Sequence, residues 1–177
     1  GLRNTLIGGL AGDAITTASD NVAVGKGALT SDTTGADNTA VGSASLGANT
    51  TGASNTGLGY GALNANTTAS NNTAVGTLAL LSNTTGTNNV AVGKSAADAN
   101  TTGGALTAVG INALGANTTA DFNSAFGREA LAGNTTGASN TAVGSSALAG
   151  NTTASSNTAV GTNALGANTT GATNSAL

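Results

Sequence analysis

A glycine recurs every 17 residues along this chain, at Gly8, Gly25, Gly42, Gly59, Gly76, Gly93, Gly110, Gly127, Gly144 and Gly161. No step carries an insertion. A threonine pair keeps the same register, from Thr16-Thr17 to Thr169-Thr170. Self-similarity at a fixed short period marks a stacked architecture, in which each unit packs only on its neighbours. The expected domain is one repeat array over 1–177, ten coils of 17 residues.

The cleanest unit runs from Asn140 to Ser156 and reads N-T-A-V-G-x-x-A-L-x-x-N-T-T-G/A-x-x. Its N-T-A-V start alternates like a strand, so Thr141 and Val143 face one way and Ala142 the other. Gly144 sits where the chain turns or another backbone comes close. Ala147-Leu148 fits a second short strand. Asn151-Thr152-Thr153 has turn chemistry, because Asn and Thr side chains bond nearby backbone groups. Two short strands and two turns make one flattened coil. Coils stacked about 4.8 Å apart would be hydrogen-bonded above and below, with Asn stacked on Asn in ladders. The spacing therefore predicts an all-β, parallel β-solenoid. A helix is disfavoured, since Gly, Asn and Thr recur in every period and no 3.6-residue apolar stripe is present.

Composition narrows the function. Only 6% of the residues are charged, against about 25% in ordinary domains. There is no His, Cys, Met, Pro or Trp, and aromatics are limited to Tyr60, Phe122 and Phe126. The four Lys and Arg do not suffice for the basic stripe that nucleic acid requires. No apolar run is long enough for a membrane span. Thiolate metal sites are excluded, and no Ser or Thr has a base partner at a distinctive spacing. The expectation is therefore no enzyme, no cofactor and no metal.

Three motifs tempt a sharper reading. Gly93-Lys94-Ser95 ends like a phosphate loop, but Asn88 stands where that motif needs its first Gly. Gly57-Leu58-Gly59-Tyr60-Gly61 imitates a dinucleotide fingerprint with glycines that belong to the repeat. Asp13, Asp20, Asp32 and Asp37 lie near one another in sequence, at a spacing that fits no known calcium loop, and are expected to be solvated edge charges. Asn-Thr-Thr, a formal glycosylation sequon at Asn49 and seven later asparagines, is expected to serve as a turn.

Most charges fall in two variable column pairs, after the turn Gly and before the next repeat, which are expected to be solvent-facing edges. Lys26, Tyr60, Lys94, Phe122 and Arg128 are the less ordinary side chains there, and are the candidate surface contacts. The Ala, Val and Leu columns are expected inside or at an interface. So little apolar mass per coil, even with the ladder hydrogen bonds, falls short of the entropy cost of ordering 17 residues, which predicts association of several chains, most simply a homotrimer.

The N-T-A-V-G-x-x-A-L unit is similar to the N-S-V-A-I-G-type repeat of YadA-like heads in trimeric autotransporter adhesins. With its N-T-T-G it also resembles fibre regions of some bacteriophage and marine bacterial surface proteins. The resemblance covers nearly the whole chain, from Asn4 onwards. It implies a left-handed β-roll, three chains around one axis, and binding to a host surface, matrix protein or glycan. It also implies an extracellular place, on an outer membrane-anchored bacterial surface or a phage virion; a fragment of a longer fibre is expected because the chain starts and stops within repeats and solenoids need capping ends. The period of 17 is longer than usual for that family, and the extra residues lengthen a turn. Two other functions are compatible with the repeat: an ice-binding solenoid, and an amyloid-like matrix fibre. Ice binding requires two Thr columns pointing the same way on one face, which adjacent Thr152 and Thr153 do not supply. The amyloid analogy is weakened by the absence of Gln.

Overall fold

A computed structural model describes residues 3–177, so Gly1 and Leu2 lie outside the described residues. The chain forms a parallel β-solenoid of about ten coils of about 17 residues each. Each coil contributes one short strand, from β1 (Thr5–Ile7) through β6 (Val90–Val92) and β7 (Thr107–Val109) to β11 (Ser175–Ala176). The eleven strands form one sheet in sequence order, and every pair is parallel with partners one period apart, such as Val75 opposite Val92. No helix of the described residues is long and apolar enough to cross a membrane.

The strands alternate as their sequence dictates. The middle Ala, as in Ala40, Ala74 and Ala142, is fully buried, while the flanking Thr and Val point outward. The Val column is thus not inside: Val92 is 37% exposed, and its equivalents Leu58 and Ile7 are 46% and 59% exposed. The core consists of the strand Ala column and the Ala-Leu columns across the coil, all buried. Small side chains suffice because the two walls of each coil are close together.

The expected second strand is absent. Ala147-Leu148 and its equivalents lie in a turn in which alternate residues are left-handed, with φ of 57° at Ser146 and 52° at Leu148. Left-handed backbone costs a non-glycine residue roughly 1–2 kcal/mol. Here it aims the Leu side chain into the core, and burial of a Leu is worth about 1.5–3 kcal/mol. The carbonyls and amides of this turn still bond between coils, as in Leu131 N to Ala147 O at 2.9 Å. A third left-handed column precedes each strand, at Ser139, Ser156 and Phe122 among others.

Two asparagine ladders line the other end of the coil. In the first, just before the strand, Asn38 N donates to Asn21 Oδ1 at 2.8 Å and Asn55 N to Asn38 Oδ1 at 3.0 Å. In the second, Asn66 Nδ2 donates to Asn49 Oδ1 at 2.8 Å and Asn151 Nδ2 to Asn134 Oδ1 at 2.8 Å. Both ladders converge on one carbonyl per coil: Gly52 O accepts from Asn38 Nδ2 and from Asn49 Nδ2, each at 2.9 Å. The buried amides are therefore satisfied, which removes the cost of about 1–3 kcal/mol for each orphaned group. Leu106 replaces an Asn of the first ladder and is buried; its backbone N still donates to Asn89 Oδ1 at 2.9 Å.

Candidate functional site

The surface of a solenoid is a set of columns, and the structure assigns each candidate residue to one. Lys26, Tyr60, Lys94 and Arg128 all occupy the column directly after the turn Gly, at every second coil. Ser43, Thr77 and Ile111 fill the coils between them. All four side chains are exposed, as expected of an edge. Two coils span about 9.6 Å at the usual strand spacing. Phe122, 65% exposed, lies on the other edge beside Asp121, in a separate shallow groove with Thr85, Thr87 and Asn88. The structure therefore brings four of the five candidates into one line and leaves Phe122 apart.

The charges of the line are not equivalent. Arg128 is paired with Glu129, Nη1 to Oε1 at 2.9 Å. Lys94, like Lys26, makes no ion pair among the described residues; the carboxyl of Asp98 in the same coil is pushed above its ordinary range by burial against an opposing hydrogen bond from Ser95. The other ion pair among the described residues joins Arg3 and Asp20 on the far edge.

An open groove of about 490 Å³ lies between Lys26 and Tyr60. Its floor is formed by small residues of two successive coils, Gly27 in one and Ala44, Gly47 and Ala48 in the next. Leu10 and Tyr60 bound its two ends along the axis, and Thr30, Ser31, Ser43 and Asn64 add hydroxyl and amide groups. The groove exists because Gly and Ala replace larger residues here, as Leu78 and Asn112 occupy the Gly27 column farther along.

The remaining motifs become structural elements. Gly57 is a strand residue, and Gly59 and Gly93 stack in the turn column. Asn49, Asn66, Asn83, Asn100, Asn117, Asn134 and Asn151 are fully buried in the second ladder, so a sugar cannot be attached there without breaking the fold. No group of three acidic, His or Cys side chains that could hold a metal ion is found among the described residues. Asp32 is not the solvated edge charge expected from the sequence. It replaces Asn in the second ladder and is fully buried. Its Oδ1 accepts from Gly35 N at 3.1 Å and Asn49 Nδ2 at 2.9 Å, while Oδ2 has no partner. Burial pushes its carboxyl up from 3.8 to about 6, against the lowering effect of those two hydrogen bonds. The period itself could have exposed this residue, because it places Asp32 in line with Asn49 and Asn66.

No family model, no curated protein and no solved structure matches this chain, so its fold and its surface columns are the basis for reading its function.

Proposed function

We propose that this chain is a non-catalytic extracellular fibre segment, a left-handed β-roll that assembles as a homotrimer and gives length, rigidity and multivalent adhesion. The carrying observation is the outer face of the sheet. Thr and Val columns run along it from coil to coil, half-buried to exposed, with Leu58, Phe126, Val143 and Val160 among its exposed apolar groups. A continuous apolar stripe of this kind marks an interface. A second and third copy are the occupants that a repeating, in-register face fits best, since every coil then makes the same contact. The edge column with Lys26, Tyr60, Lys94 and Arg128 is left to display contacts to a host surface, matrix protein or glycan.

Repeated weak contacts on linked chains gain about 10²–10⁴ in avidity. The double variant Val92→Glu and Val143→Glu places charge on the outer face without touching the core. It is expected to disperse the assembly and to weaken retention on a matrix-coated or glycan-coated surface by about that factor. A dispersed variant that is retained as well as the parent would refute the avidity mechanism.

A second reading is favoured by the same face. The columns that point together are the strand Thr and Val, such as Thr141 and Val143, rather than the Thr pair of the turn. That face sets one Thr column in line with one Val column rather than two Thr columns, and freezing-point hysteresis of the purified chain tests whether such a face binds ice.

A further inference from the structure

The groove between Lys26 and Tyr60 combines three features that occur together nowhere else along the edge column. It has an unpaired cation, the chain's single Tyr, and a floor without bulky side chains. No acidic side chain lines it. Its polar groups have spare capacity. Asn64 donates Nδ2 to Ala44 O at 2.8 Å, which fixes the amide and leaves Oδ1 without a donor among the described residues. Thr30 donates Oγ1 to Leu10 O at 2.8 Å and keeps its acceptor lone pairs.

We propose that this groove binds an acidic oligosaccharide. The Lys26 ammonium meets a uronate carboxylate, and the Tyr60 ring lies against the apolar face of a sugar. The Asn64 carbonyl and the Ser43 hydroxyl meet sugar hydroxyls. An aromatic face beside neutral hydrogen-bonding groups suits a carbohydrate, whereas a nucleic acid, with a charge every ~1.7 Å of duplex, needs a denser array of cations. The groove follows the fibre axis and is bounded at its ends by Leu10 and Tyr60, so it suits a short oligosaccharide segment. The assignment rests on the surface-display reading above and names the chemistry that one part of that surface takes.

The test is titration of the intact chain with digalacturonic acid, followed by calorimetry or by NMR, with cellobiose as the neutral control. The chain is expected to bind the uronate more tightly than the neutral sugar. Lys26→Met keeps the apolar stem and is expected to lower uronate affinity by about tenfold or more and to abolish the preference over cellobiose. Tyr60→Ala is expected to weaken both sugars, and Tyr60→Phe to retain binding. Both side chains are exposed, so the far-ultraviolet dichroism should not change. Absence of uronate binding, or binding that both Lys26→Met and Tyr60→Ala leave intact, overturns the proposal. A trimer that adheres yet ignores digalacturonate would remove the groove assignment and leave the fibre reading. A monomer that binds it through Lys26 and Tyr60 would support the groove and remove the fibre reading.

Discussion

Replacing Gly93 with Ala splits the solenoid between β6 and β7. Gly93 has φ of 137°, a conformation that L side chains rarely adopt, and an added Cβ would stand 2.5 Å from Gly110 O and 2.7 Å from Gly110 C. The obstacle is the backbone of the next coil, which cannot swing aside as a side chain can. Strain at such a position costs about 1–3 kcal/mol, and the clash adds to it, for an expected loss of about 3–5 kcal/mol. In a stacked array the damage is local to one interface. Thermal or urea unfolding is therefore expected to change from one transition to two, with the blocks on either side of Gly93 melting separately. Two controls set the scale. Gly9→Ala meets nothing within 4 Å and has an ordinary φ, so it should be neutral. Gly27→Ala also meets nothing but has φ of 68°, and should lose only about 1 kcal/mol. Equal melting of all three variants would contradict the close stacking of the turn column.

Asp32→Asn is expected to stabilise the chain by about 2–3 kcal/mol at neutral and mildly alkaline pH. In the other coils the Asn Nδ2 donates both along the ladder and to the carbonyl three residues on. In Asp32 the matching atom is Oδ2, an acceptor without a donor. The preceding coil offers Ile15 in that column, which has no polar side-chain atom to meet it. The folded carboxyl takes up its proton at about 6, against 3.8 in the unfolded reference, so between those values the folded state binds more protons than the unfolded state. Stability is then highest below 3.8, falls as pH rises through the window, and is lower by about 3 kcal/mol above it. The variant has no such group and should lose this part of the pH dependence. Asp98 shifts in the same direction and is present in both chains, so the difference between parent and variant isolates Asp32. Urea unfolding at acid and at mildly alkaline pH measures it, and an unchanged difference between the two pH values would show that Asp32 is solvated.

Much of this architecture is legible in the 17-residue period. Alternation in Thr141-Ala142-Val143 gives the strand and its buried Ala, and the repeated Asn gives the ladders. The turn Gly is legible because only Gly tolerates both the close approach and the positive φ. Ala147-Leu148 is not legible, because two apolar residues read as strand by every local measure. Their left-handed turn is imposed by stacking, which rewards the buried Leu more than the backbone strain costs. The outward Val was half legible. Its alternation with Ala is clear from the sequence, but which face is core depends on where the rest of the coil folds back. At the surface, the edge columns were readable from their variability. The groove was not, since it depends on Gly27, Ala44 and Gly47 being small in neighbouring coils at once.

The mass of the chain in solution tests the fibre account most directly, because the outward Thr and Val face is its foundation. Light scattering over a range of concentrations is expected to give three times 16.3 kDa. A stable monomer would contradict the account, leaving the outer face open to water and shifting the reading towards ice binding.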